Sequence, residues 1–158
     1  MIKILVIYPT AFWRNLGLSG LAQGDSKTLQ LIADSSPPSG CPGVLATFVS
    51  GARAKEFSSL DEDSRQKLII SELCKYFGRE FDSPLHIIEK NWNDEPLTGG
   101  AFTTFMMPGG WTKTCLNHRE NLPRVFWAGT EMADKWAGYF EGAVRAGESA
   151  ASAALKIL

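Results

Sequence analysis

From Tyr139 to Ile157 the chain reads as one long helix set with small residues, Gly142, Ala143, Ala146, Gly147 and Ala150. Small residues of this kind let a second backbone or a ligand come close. A short buried strand, Arg124 to Trp127, leads into Ala128-Gly129-Thr130, and Trp136-Ala137-Gly138 opens the helix. A strand, a loop and a helix start gather free backbone N–H groups and the positive end of a helix dipole. That arrangement suits an anionic or carbonyl-bearing ligand.

The upstream part reads as short strands. Residues 2 to 8 form a buried strand, and Leu16 to Ala22, Thr28 to Ile32 and Val44 to Ser50 form further strands, an antiparallel meander with a loop over Ser35 to Gly40. Ser59 stands three residues before Glu62 in a capping-box spacing, and Ile69, Leu73, Tyr76 and Phe77 recur at helical intervals. The pattern predicts a helix from about residue 60 to 77, stopped by Gly78. Leu85 to Ile88 makes another strand, and Phe102 to Met107 an apolar run after Gly99-Gly100. A chain that opens inside a strand, with no turn or cap before it, reads as a piece of something longer. Lys3 and the apolar residues after it imitate a signal peptide, but the run is too short and Trp13-Arg14 stands where small residues should be.

With 158 residues, 44% of them apolar and 21% charged, the chain has the profile of a globular domain with enough length for its own core. Sixteen basic against 17 acidic residues give a net charge of −1 without a basic run, which argues against a nucleic-acid partner. No apolar run reaches the roughly 18 residues that span a bilayer, so no membrane contact is expected. Three cysteines, Cys41, Cys74 and Cys115, are too few and too scattered for a disulfide framework and fit a reducing cytoplasm.

Several chemistry-bearing patterns have plainer readings. Gly142 to Ser149 has the glycine spacing of a phosphate loop, but Glu148 stands where that loop needs Lys and the glycines fall inside a helix. Cys115 and His118 share a ligand-like spacing without a second pair, so no metal is expected. No Gly-x-Ser-x-Gly elbow occurs, and His86 lies in a strand pattern, which leaves a hydrolase triad without an anchor. Five tryptophans, Trp13, Trp92, Trp111, Trp127 and Trp136, are first of all core and interface filler.

The segment Arg124-Val-Phe-Trp-Ala-Gly-Thr-Glu-Met-Ala-Asp-Lys-Trp-Ala-Gly-Tyr-Phe-Glu-Gly-Ala-Val-Arg-Ala-Gly-Glu148 resembles, almost residue for residue, the C-terminal signature of the flavin-containing monoamine oxidase family. Glu89-Lys-Asn-Trp92, Thr98-Gly-Gly-Ala-Phe-Thr-Thr-Phe105, and Ile2 to Tyr8 followed by Phe12-Trp13-Arg14 support it in the family's order. The resemblance implies a flavoenzyme that oxidises an amine to an imine with FAD, reduces O2 to hydrogen peroxide and releases the imine for hydrolysis to an aldehyde. Lys3 matches the lysine that holds a water at flavin N5, and Phe102 and Tyr139 match the two rings of the aromatic cage. These three are the expected catalytic residues. Trp92 matches a tryptophan packed near the isoalloxazine. Gly129, Thr130 and Glu131 match the loop along the ribityl and pyrophosphate, and Phe140 offers a backbone N–H to the flavin's pyrimidine carbonyl.

These roles agree with elementary chemistry, since the cofactor carries the redox step and the protein has only to orient the substrate. Two facing rings guide an amine nitrogen between their negative faces. Ala101 stands where the family's covalent members carry Cys, so FAD is expected to be non-covalent. Phe102 stands where well-known members have Tyr, which keeps the ring and loses the hydroxyl.

Family members are several-fold longer and begin with a strand, a Gly-x-Gly-x-x-Gly turn and a helix that binds the pyrophosphate. This chain contains no such turn. The expected fold is therefore α+β: an antiparallel substrate-domain sheet with helices over residues 1–122, and the last strand and helix of a Rossmann-like FAD-binding domain over 123–158. The expected partners are a small amine, O2 and a separately encoded N-terminal FAD-binding half. The alternative is a non-enzymatic remnant or interaction module unable to hold FAD alone.

Overall fold

The computed structural model describes residues 1–26, 28–102, 107–114 and 124–157. They fall into two compact units, Met1–Ala101 and Phe102–Leu158. The boundary expected between residues 122 and 123 lies outside the described residues.

The first unit is built on five strands, β1 Ile2–Tyr8, β2 Ala22–Gln23, β3 Leu31–Asp34, β4 Gly43–Val49 and β5 His86–Asn91. They lie in the order β2-β3-β4-β1-β5, each antiparallel to its neighbour. β1 is flanked on both sides because every second residue, Ile2, Ile4, Val6 and Tyr8, is a large apolar or aromatic group that one face must bury. Helices α1 Gly51–Ser58 and α2 Glu62–Phe77 supply Ala54, Phe57, Ile69 and Leu73 to the same core. Trp13 and Phe81 close one end of it against Tyr8, whose hydroxyl donates to the Phe81 carbonyl at 2.8 Å. Burial raises the Tyr8 pKa above its ordinary value, which keeps that donor protonated.

The Phe12-Trp13-Arg14 block has a structural role. The Trp13 indole N–H and the Arg14 Nε both donate to Asp34 Oδ2, at 3.0 and 2.8 Å. Burial alone would raise the Asp34 pKa. Hydrogen bonds from Arg14, Ser36 and Trp13 outweigh it and hold the carboxyl well below the usual range.

Four elements differ from the sequence expectation. The run Leu16 to Ala22 is a strand only at its end, because the N–H groups of Leu16 and Leu18 both turn back to the Trp13 carbonyl and Gly17 and Gly20 take positive φ. Its leucines are exposed. Residues 28 to 30 are not extended, since Ser26 Oγ accepts from the N–H groups of Thr28 and Leu29. Asp61, not Ser59, caps α2, accepting from the Ser64 N–H at 2.8 Å, while Ser59 Oγ donates to Glu56 and closes α1, a helix the sequence reading passes over.

The fourth difference lies in the second unit. Arg124 to Trp127 forms no strand there; a single bridge at Val125 is its only ladder contact among the described residues, and extended backbone without a partner is not a strand. The long helix is present as α4, Phe140–Leu155, preceded by the short α3, Gly110–Thr114, and a 3-10 turn over Thr130–Met132. Most of the expected run Phe102 to Met107 lies outside the described residues, as do Cys115 and His118.

Candidate functional site

Alternation along β1 turns Lys3 away from the core, onto the sheet face opposite Ile2 and Ile4. The register sets Phe48 of β4 and Lys90 of β5 on either side of it. The Lys3 ammonium lies 6.0 Å from the Phe48 ring centroid. Lys90 is ion-paired with Glu95 and lies 5.7 Å from the Trp92 ring centroid. Trp92 is half-buried and begins a 3-10 turn at the end of β5, its N–H donating to the Met1 carbonyl at 3.0 Å. The first unit thus brings Lys3 and Trp92 to one corner of its open sheet face, with Lys90 between them. Ala101, half-buried, ends this unit.

In the second unit a single hydroxyl organises the remaining residues. Thr130 Oγ1 accepts from the Gly138 N–H at 2.8 Å and donates to the Tyr139 carbonyl at 3.0 Å, tying Gly129-Thr130-Glu131 to the start of α4. Gly142 makes the same closure possible: a Cβ there would stand 2.2 Å from the Trp136 carbonyl oxygen, so only glycine lets the loop lie against the helix. Tyr139 is the N-cap of α4 and provides no side-chain cap, which leaves the helix start to backbone N–H groups alone.

The rings around this helix start face outward. Tyr139 is 68% exposed and Phe140 94%; Phe102, at the beginning of the unit, is 80% exposed. Trp136 stands edge-on to Tyr139, centroids 6.2 Å apart. Phe102 and Trp136 have φ of 64° and 62°, left-handed backbone that costs a bulky L-residue roughly 1–2 kcal/mol.

The expected site residues therefore fall on both units. Sequence reasoning missed Lys90, Glu95 and Phe48, the groups that surround Lys3 and Trp92. The signal lay in the period-two pattern of β5, where His86, Ile88 and Lys90 share the exposed face. Among the described residues, no three His, Cys, Asp or Glu side chains gather as a metal site would require. No described helix is long and apolar enough to cross a membrane.

Comparison with known proteins gives a consistent result. The family described as flavin containing amine oxidoreductase matches residues 1–155. An L-amino acid dehydrogenase of Synechocystis is 41% identical over 99% of this chain and 33% of its own length. The flavin-containing amine oxidase B of the dog is 35% identical over 96% of this chain and 30% of its own. Among solved structures, cyclohexylamine oxidase from Brevibacterium oxydans superposes with a TM-score of 0.88 at 28% identity, covering 99% of this chain and 35% of that one. Putrescine oxidase bound to putrescine gives a TM-score of 0.87 at 28% identity, covering 96% and 34%. The mixed helix and antiparallel-sheet fold matches these structures, and the chain spans about a third of the length of the relatives it matches.

Proposed function

The chain belongs to the flavin containing amine oxidoreductase family, and from that premise we propose that it is the C-terminal portion of an FAD-dependent enzyme that oxidises an amine. Residues 1–122 would serve as the substrate-binding part and 123–158 as the last piece of a Rossmann-like FAD-binding domain. The observation that carries this reading is the Thr130 brace, which holds a glycine-containing loop against an uncapped helix start beside exposed rings. This donor set fits a flavin, a flat apolar ring system with a polar edge and an anionic tail.

In this reading Gly129, Thr130, Glu131 and the Phe140 N–H would hold the cofactor, Trp92 would take the role of the tryptophan near the flavin ring, and Ala101 would leave the attachment non-covalent. Bound flavin supplies the two-electron chemistry. The rings of Phe102 and Tyr139 would orient an uncharged amine and exclude water from it. The Lys3 ammonium would donate a hydrogen bond to a water. The amine would lose two electrons and two protons to become an imine, O2 would take them up as H2O2, and water would hydrolyse the released imine to an aldehyde with loss of ammonia or an amine.

The test is a fusion of this chain to a glycine-rich N-terminal half from a relative, assayed for amine-dependent peroxide. Lys3→Met should slow turnover with folding unchanged, and Tyr139→Ala should reduce it on the order of 100-fold through lost orientation. Parent rates in both variants would contradict the site. The dehydrogenase relative favours a second reading of the acceptor alone. Amine oxidation seen with an artificial acceptor and without peroxide would select it.

A further inference from the structure

Among the described residues β5 is an edge strand, joined to the sheet through β1 alone, and Trp92 follows directly at its end. One ladder leaves such a strand able to fray, and fraying there would carry the Trp92 ring with it. The outward residues His86, Ile88 and Lys90 are exposed, and the Lys90–Glu95 pair closes within the strand's own continuation without reaching another element. The residues between them turn to the core side, and each is engaged. Ile87 packs against the core cluster. Asn91 Oδ1 accepts from the Asn93 N–H at 3.2 Å and caps the turn that Trp92 begins. Glu89 lies opposite Ile4, a fully buried residue, so its carboxylate stands at the margin of an apolar core. There Arg65 Nε donates to Glu89 Oε2 at 2.8 Å, with both side chains largely covered.

The Arg65 end of this contact is itself well fixed. Arg65 sits near the start of α2, which Asp61 caps by accepting from the Ser64 N–H at 2.8 Å. Its Nη1 donates to the Leu60 carbonyl at 2.7 Å, and its guanidinium lies 5.9 Å from the ring centroid of Phe57, a buried residue of α1. A planar fork can hold a carboxylate, a carbonyl and a ring at once, which a single ammonium does poorly. We propose that Arg65 is a positioning residue for Trp92: it anchors β5 through Glu89 and so fixes the start of the turn that carries the indole ring. Its value to the site rests on the amine oxidase reading, which gives Trp92 its role near the flavin ring. Glu89 shares the face of Ile4 while Lys3 is on the opposite one, so the pair acts through the strand and not on the reacting groups.

In the 158-residue chain, the indole N–H resonance of Trp92, assigned by its loss in Trp92→Phe, reports the ring, and amide hydrogen exchange over residues 88–93 reports the strand end. Arg65→Met and Glu89→Gln should each shift that resonance and speed exchange there on the order of tenfold, the effect of losing a hydrogen bond between charged groups. Arg65→Lys, which keeps the ion pair, should restore much of the parent behaviour. Asp34→Asn, which removes an ionised acceptor from β3, should lower stability and leave the Trp92 resonance in place, so that lost stability alone does not imitate the effect. Circular dichroism identifies any variant that fails to fold, and the near-isosteric Glu89→Gln keeps the test decisive if Arg65→Met is one of them. An unmoved Trp92 resonance in a folded Arg65→Met or Glu89→Gln variant, or an equal shift in Asp34→Asn, would overturn the proposal. None of these readouts uses flavin or substrate. The amine oxidase reading fails separately, on parent rates for Lys3→Met and Tyr139→Ala in the fusion.

Discussion

The two units meet the problem of apolar surface in opposite ways. Met1–Ala101 buries its large side chains among themselves: Trp13, Tyr8, Phe81, Ile4, Leu73 and their neighbours are shielded by two helices and the loop between β1 and β2. In Phe102–Leu158 the buried apolar side chains among the described residues are Ala133 and Ala146, while Trp127, Trp136, Tyr139, Phe140 and Val144 remain exposed. One region carries a core of its own. The other carries a loop and a helix start held by a hydroxyl and a glycine contact, with its rings left for something else to cover. Stability should therefore belong to the first unit and binding chemistry chiefly to the second.

The sharpest way to break this contrast is to truncate matched side chains. Leu73→Ala removes a fully buried group from the first core and should cost about 2–5 kcal/mol in urea unfolding. Val144→Ala, on the exposed side of α4, should stay within about 0.5 kcal/mol. Equal costs would mean that the second unit is packed more firmly than its exposure indicates.

Gly142→Ala tests the second unit's own organising contact. The added methyl must displace the Trp136 carbonyl, a backbone atom, for which about 1–3 kcal/mol is expected. Hydrogen exchange should show faster exchange across residues 130–146, with the first unit unaffected. A comparable cost is expected from Asp34→Asn in the first unit, about 1–3 kcal/mol, because the Trp13 and Arg14 donors lose an ionised acceptor. The sign with pH follows from the lowered Asp34 pKa. Its contribution is full above the unfolded value of about 4 and is lost as pH falls from there toward the folded one, so variant and parent should converge on acidification. A gap that widens in acid would contradict the hydrogen-bond account.

The smallest effect belongs to Thr130→Val. The lost bonds to Gly138 and Tyr139 are exposed, so about 0.5–1.5 kcal/mol is expected, local to the turn and helix start. A cofactor placed as proposed would turn this small loss into a visible weakening of flavin binding in the fusion.

Legibility followed the same division. The apolar run Ile4 to Tyr8 and the spacing of Ile69, Leu73 and Tyr76 located β1 and α2, because burial enforces both patterns. Leu16 to Ala22 looked like a strand for its leucines, but two turns and the Trp13 carbonyl decided its path, and neither has a hydropathic trace. The C-terminal signature singled out Gly129 to Glu131 and Tyr139 as candidate site residues, while the Thr130 brace between them depends on where a hydroxyl lies in space. Lys90 and Glu95 escaped for a similar reason: the cross-strand register that sets Lys90 opposite Lys3 is not written in either strand alone.

The central claim is that this chain holds the amine-facing and flavin-facing residues but needs a glycine-rich half to bind FAD, since it contains no Gly-x-Gly-x-x-Gly turn. The direct measurement is an FAD titration followed by flavin fluorescence, on the chain alone and on the chain joined to an N-terminal half from a relative. The account predicts weak or undetectable binding by the chain alone. It predicts stoichiometric binding by the joined protein, with the flavin released into solution on acid precipitation because Ala101 offers no sulfur. Tight stoichiometric binding by the 158 residues alone, or no binding by the joined protein, would contradict it.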